Sequence, residues 1–321
     1  MKRHFAIALG ISLGLATAYA SAQSYPAKPL RLIVPAGAGG GVDTISRFVG
    51  TPLSAALGQP VVVENRPGAG TMVASELIAK SPPDGYTLLM ATNSHVMNPG
   101  IRKNLRYDPI NDFAPVTLVA TVPHLVVVHP SVPANSVREL IALAKRRPGD
   151  LFAASAGTGS GTHLAFELFA AMAQVKIVHV PYKSGSAAIV DLTGGHVQLM
   201  FSNVINSMPH VRAKRLRALA ITAAKRSPLS PELPTVSESG VAGYQSDVWY
   251  GVLVQGRTPA DIVQRLHREI TAILKTPDFR EKAATQGAEV IGSTPAEFAS
   301  LMKSDLAKWA KLTAKLKLQI E

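Results

Sequence analysis

Short apolar runs rich in Val, Ile and Leu recur along the chain at 30–34, 60–64, 86–91, 116–121, 125–129, 151–155, 176–180, 197–201, 216–222 and 248–254. Most are separated by stretches in which apolar residues return every three or four positions, the period of a helix with one buried face. This alternation predicts an α/β protein with largely parallel sheets, since parallel strands need a crossover long enough for a helix. Helix starts are marked. Ser136-x-x-Glu139 and Thr294-Pro295-x-Glu297 have capping-box spacing, and Thr258-Pro259-x-Asp261 combines an N-cap with a first-turn proline. Ile262, Val263, Leu266, Ile270 and Ile273 then repeat at helical spacing, as do Phe298, Leu301, Met302, Leu306 and Trp309, so both stripes are expected to face a core. Pro52 falls inside the first helical pattern, where a kink is expected.

The segments that follow the strands carry the chemistry. Leu30-Arg31-Leu32-Ile33-Val34 breaks into Pro35-Ala36-Gly37-Ala38-Gly39-Gly40-Gly41-Val42-Asp43. Glycines let a ligand approach the main chain, and the first N–H groups of the next helix point outward at the positive end of its dipole. The device returns twice. Ser155 is followed by Ala156-Gly157-Thr158-Gly159-Ser160-Gly161-Thr162-His163, and Val180 by Pro181-Tyr182-Lys183-Ser184-Gly185-Ser186. Strand carboxyl ends facing helix amino ends are where open α/β sheets bind ligands, so two lobes closing on one cleft are expected. Asp43 reads as an N-cap of its helix or as a partner for a ligand amine. His163 could donate to an anion or be packed.

Known fingerprints are missing. Starting from Gly37 and Gly39, the third glycine of a dinucleotide loop falls on Val42, and no Gly-Lys-Ser/Thr follows either glycine loop. Ser155 has Ala153 where a nucleophile elbow needs its first glycine, and Ser160 is flanked two away by Thr158 and Thr162. The nine histidines are scattered without metal-site spacing, so no metal and no cofactor are expected. An exported hydrolase using Ser155 or Ser160 with His163 is the rival reading, and no acid is placed to complete it.

Composition narrows the setting. Lys2-Arg3-His4, an apolar stretch from Phe5 to Ala18 and Ala20-Ser21-Ala22 form the pattern of an export signal, with residues 1–22 removed after Ala22. No cysteine follows, which argues against a lipid anchor and leaves no disulfides to staple the fold. About 300 mature residues can bury one large core or two of domain size. Lys and Arg number 33 against 21 Asp and Glu, a net charge of +12. The basic clusters at 145–147 and 212–217 lack interleaved aromatics, so the excess fits attraction of small anions better than nucleic acid. Outside the cell's nucleotide pool, a small carboxylate is the expected guest. Arginine is absent from the three turns, and Lys183 is their one fixed positive charge.

The motifs, taken in order, resemble the Bug family of periplasmic receptors for tripartite tricarboxylate transporters. They are Tyr25-Pro-x-Lys-Pro through Val34-Pro35, Gly39-Gly40-Gly41-Val42-Asp43, Val61 through Gly70, Pro83-Asp-Gly-Tyr-Thr-Leu-Leu89, 155–163, Val180-Pro-Tyr-Lys183, Gly194-Gly195, Leu216-Arg-Ala-Leu-Ala220, Pro234-Thr-Val-x-Glu238 and Trp249-Tyr-Gly251. The resemblance implies a two-lobed type II periplasmic binding protein fold with two crossing strands between lobes. One lobe would hold 23–123 and 244–321, the other 124–243. It also implies a monomeric periplasmic receptor, not an enzyme, that binds a small organic acid and delivers it to a two-component membrane permease. A ligand sensor with a regulatory partner is an equal use of the same form. Carried onto this chain, the binding residues would be Ala36, Gly37, Gly39, Gly40, Asp43, Ser155, Gly157, Thr158, Gly159, Ser160, Thr162, His163, Tyr182, Lys183, Ser184, Gly185, Ser202 and Asn203. The chain departs from the family pattern at Ala36-Gly37, commonly a bulkier pair, at Ser184, often glycine, and at Gln255-Gly256-Arg257.

Overall fold

The computed structural model describes residues 25–101, 105–227 and 230–316. The expected signal at 1–22 lies outside the described residues. From the amino end, β1 (Leu30–Val34), α1 (Gly41–Leu57), β2 (Val61–Asn65), α2 (Met72–Ala79), β3 (Thr87–Thr92) and the short α3 (Ser94–Met97) lead to a long strand, β4 (Phe113–Val128). Then come α4 (Val137–Arg146), β5 (Phe152–Ser155), α5 (Gly161–Ala173), β6 (Val178–Pro181), α6 (Gly185–Thr193), β7 (Leu199–Asn203), α7 (Val204–Arg212) and β8 (Arg217–Ile221). The chain closes with β9 (Asp247–Gln255), α8 (Ala260–Leu274), α9 (Pro277–Thr285), β10 (Glu289–Val290) and α10 (Pro295–Leu316).

The expected alternation is present, and it builds two α/β halves. In one, β2, β1 and β3 are parallel and continue through antiparallel β9 to the first part of β4. In the other, β6, β5 and β7 are parallel and reach the last part of β4, with β8 also paired to it. Leu32, Val49, Leu88, Val252 and Leu266 centre one core; Leu140, Phe169, Leu199 and Phe201 centre the other, and all are fully buried. The stripe on α8 packs as its spacing predicts. The stripe on α10 does more, because Phe298 sits under β9's half while Trp309 enters the other half's core.

Three expectations are corrected. The runs 116–121 and 125–129 form the single strand β4, which changes sheets in mid-course. Pro123 faces Asp247 of β9, and the next residue, His124, faces Asn203 of β7. A proline inside a run reads as a break, but here it falls where the ladder changes partners. The second crossing strand is not continuous: β8 ends opposite Leu125 and β9 begins opposite Pro123, so the two lie end to end beside β4. Thr258 does not cap α8. Its hydroxyl donates to the Gln255 carbonyl and Pro259 precedes the first helical residue, whereas Ser136 and Thr294 accept from Glu139 and Glu297 amides as expected. Helix α1 runs through Pro52 as one element.

Candidate functional site

Where β4 passes between the halves, a cavity of about 560 Å³ opens beside it. One wall is made by segments at the carboxyl ends of β1, β2 and β3: Pro35 with Ala36 and Val42, then Pro67 to Thr71, then Thr92-Asn93-Ser94. The opposite wall comes from the carboxyl ends of β5, β6 and β7: Ala156-Gly157-Thr158 and Ser160-Gly161-Thr162, then Pro181-Tyr182-Lys183, then Asn203. His124 of β4 and Val248 and Tyr250 of β9 close the crossing side. Both sets of parallel strands therefore aim their carboxyl ends at one space, as doubly wound sheets do at a ligand crevice.

The first turns of α1 and α5 border this space, through Val42 and through Gly161 and Thr162. Amides at these positions have no acceptor within their own helix. Most other amides of the β5–α5 loop are satisfied internally. Ala156 donates to Thr162 Oγ1, Gly157 to Ser155 Oγ, Gly159 to His163 Nδ1, Ser160 to the Gly157 carbonyl and His163 to Ser160 Oγ. The loop is thus a braced scaffold that leaves the mouth of α5 as its donor surface. Among the described residues, the lining includes one charged side chain, Lys183, and no carboxylate.

Of the residues expected from sequence, Ala36, Gly157, Thr158, Ser160, Thr162, Tyr182, Lys183 and Asn203 border the cavity. Gly37, Gly39, Gly40, Asp43, Ser155, Gly159, His163, Ser184, Gly185 and Ser202 stand behind it. Asp43 is not an N-cap; Gly40 holds that place. From the first turn of α1 its carboxylate reaches back to the Gly39 amide at 2.9 Å, to Arg47 and to Asn65 Nδ2 at 2.9 Å. Burial pushes its pKa up, but those bonds outweigh burial and hold the carboxyl below its ordinary range. Asp43 therefore fixes the loop's shape. Ser184 caps α6 by accepting from the Ala187 amide.

His163 is buried. Its Nδ1 accepts from Gly159, so Nε2 carries the proton and faces Glu167 at 3.2 Å, while its ring stacks on His179 at 3.7 Å. Ser155 Oγ lies 2.6 Å from His179 Nε2, but Ser155 is fully buried and absent from the cavity wall. Burial, reinforced by His163, pulls the His179 pKa down to about 3. Ser160 Oγ is engaged with the His163 amide and Thr162 Oγ1. Neither serine meets a base at the cavity, so the hydrolase reading has no constellation to use.

The halves touch around the cavity. Ser186 Oγ donates across the gap to the Gly39 carbonyl at 3.1 Å. Gly70 lies so near the facing loop that a β-carbon there would stand 2.8 Å from the Thr158 carbonyl oxygen and 2.9 Å from Gly159 Cα. Sequence reasoning missed Pro67–Thr71, Asn93, Ser94, His124, Val248 and Tyr250 as wall residues. The first group had a signal, since Pro67-Gly68-Ala69-Gly70 repeats the strand-then-glycine device after β2. Asn93 and His124 had none.

Known proteins resemble this chain in sequence and in fold. The chain is 36% identical to protein BugT of Bordetella pertussis over 97% of its own length and 96% of that protein's. Its fold superposes on R. palustris Rpa4515, solved with adipate, with a TM-score of 0.88 and 36% identity over 92% of this chain and 100% of that one. It also superposes on MatC of Rhodopseudomonas palustris, solved with bound malate, with a TM-score of 0.86 and 29% identity over 90% of this chain and 99% of that one. The fold also superposes on the periplasmic binding protein BugD with a TM-score of 0.88 and 32% identity over 92% of this chain and 100% of that one, so the chain has the two-lobed fold of a solute-binding protein, not of an enzyme. A family profile described as tripartite tricarboxylate transporter family receptor covers residues 45–318, and with a cavity walled by both halves the chain belongs to that receptor family.

Proposed function

We propose that the protein is a monomeric periplasmic receptor, exported by cleavage after Ala22, that captures a small organic carboxylate and delivers it to a two-component membrane permease. Residues 23–123 and 244–321 would act as one lobe and 124–243 as the other. The observation that carries this reading is that two helix amino ends, from opposite halves, border one cavity whose lining holds no carboxylate. Partial positive charge from both helices, with Lys183 at the rim, favours an anion, and amides bind it without a buried arginine to desolvate. The adipate and malate held by relatives are anions of this class. A thermal-shift screen against mono-, di- and tricarboxylates tests it. A ligand at a hundred times its Kd stabilises by about 2.7 kcal/mol, easily seen as a raised Tm. If neutral sugars or cations raise Tm and no carboxylate does, the reading is wrong.

A further inference from the structure

The wall segment after β2 has a backbone that its residues do not favour. Pro67 to Thr71 line the cavity in succession. Gly68, Ala69, Gly70 and Thr71 have φ of 144°, 46°, 62° and 84°. Glycine takes such torsions freely, but alanine and above all a β-branched threonine do not. Among the described residues, the other non-glycines at positive φ are Gln174, which caps the end of α5, and Lys214, which follows α7. A left-handed residue ordinarily closes a helix at such places. Ala69 and Thr71 instead precede a helix. Thr71 stands at the start of α2, where a threonine normally takes extended backbone and caps with its hydroxyl, and it does neither. Strain of this kind persists only where surrounding structure imposes it.

Asn98 is placed to impose it. Fully buried behind the wall, it donates from Nδ2 to the Gly70 carbonyl at 2.8 Å, and the same nitrogen lies 3.4 Å from Thr71 Oγ1. A carbonyl only accepts, so the orientation of the amide is set. The segment that carries Asn98 is itself fixed. Met97 and Ile101 are buried in the core of the β5–β7 half, and at Gly100 a β-carbon would stand 2.7 Å from Thr313 Oγ1 of α10. Among the described residues Asn98 Oδ1 has no partner, a cost that an apolar residue of similar size would avoid. The donor is therefore what this position uses. We propose that Asn98 is a positioning residue for ligand capture: its amide holds Gly68–Thr71 in the left-handed form in which the run lines the cavity and Gly70 meets the Thr158–Gly159 loop.

This inference rests on the receptor reading above, and two readouts keep their failures apart. Hydrogen exchange needs no ligand. Thr71 donates to the Gly68 carbonyl and Met72 to that of Ala69, so both amides report the state of the run. In Asn98→Leu, which keeps the bulk and removes the donor, both should exchange about 5- to 30-fold faster, the weight of one left-handed non-glycine residue, with β1 and β3 unchanged. Calorimetry with malate and adipate should show binding weakened by a similar factor. Ala69→Gly together with Thr71→Gly removes the strain, so in that background Asn98→Leu should change exchange and affinity by no more than about threefold. A residue that merely fills space would cost the same in both backgrounds. That result, or unaltered exchange in folded Asn98→Leu, overturns the proposal. If Asn98→Leu does not fold, folding regained in the glycine background supports the proposal, and folding lost in both overturns it. No heat from either acid with the wild-type protein counts against the receptor reading, while exchange still decides the role of Asn98.

Discussion

Gly70→Ala isolates the contact that closes the cavity. Gly70 has φ of 62°, a left-handed torsion that costs an alanine about 1–2 kcal/mol. That strain alone would lower Tm by roughly 2–4 °C per kcal/mol. Gly58 has nearly the same torsion, φ of 66°, but nothing lies within 4 Å of the β-carbon it would gain. Gly58→Ala is thus a matched control for strain without contact. At Gly70 the new carbon meets backbone of the facing half at 2.8 Å, and a gap of about 0.6 Å must open to reach the 3.4 Å of ordinary contact. Backbone atoms cannot swing aside, so the halves themselves must part. Overpacking of this size costs about 1–3 kcal/mol, and here the cost falls on the closed form alone. The two variants should show similar Tm losses. Gly70→Ala should bind ligand about 5- to 100-fold more weakly and keep a larger radius of gyration at saturation, with Gly58→Ala unchanged on both counts. Unaltered affinity in a folded Gly70→Ala protein would refute the claim that these backbones meet in the binding form.

Other outcomes follow from the same geometry. Ser186→Ala removes the hydrogen bond to the Gly39 carbonyl, so calorimetry should show binding weakened by no more than about tenfold with Tm nearly constant; a large Tm loss would mean that Ser186 supports a lobe instead of the closure. Burial holds His95 and His124 neutral, each with a pKa lowered to about 4, whereas an unfolded histidine protonates near pH 6.5. The unfolded chain then binds more protons in that window, so stability should fall as pH drops from about 6.5 to 4, by up to about 1.4 kcal/mol per pH unit for each histidine. Urea unfolding with a flat profile there would count against the buried neutral rings. The Glu64 carboxyl, bonded by Arg31 and Arg66, has its pKa lowered to about 2, so Glu64→Gln should remove a small part of the stability lost as pH falls through about 4 to 2. An acid limb identical to wild type would mean that solvent screening cancels the pair.

Much of this protein was determined locally. Period and capping placed the strands and most helix starts, because burial of one face and satisfaction of terminal amides are demands that neighbouring residues meet themselves. The glycine turns after β1, β5 and β6 also marked the cavity's general position. Tertiary structure decided what those turns do. Asp43 and His163, both plausible ligand partners in sequence, are consumed in bracing their own loops, since a rigid loop needs its amides paired. Pro123 looked like an end and is a point of transfer, because only the neighbouring strands determine where a ladder can lose a donor. Asn93 and His124 gave no signal at all. Their orientation is set by the Asp247 and Ser246 carbonyls, 154 and 122 residues away along the chain, and they pack against Gly161 of the other half. A polar side chain acquires its direction from partners, and partners distant in sequence exist only once the chain has folded.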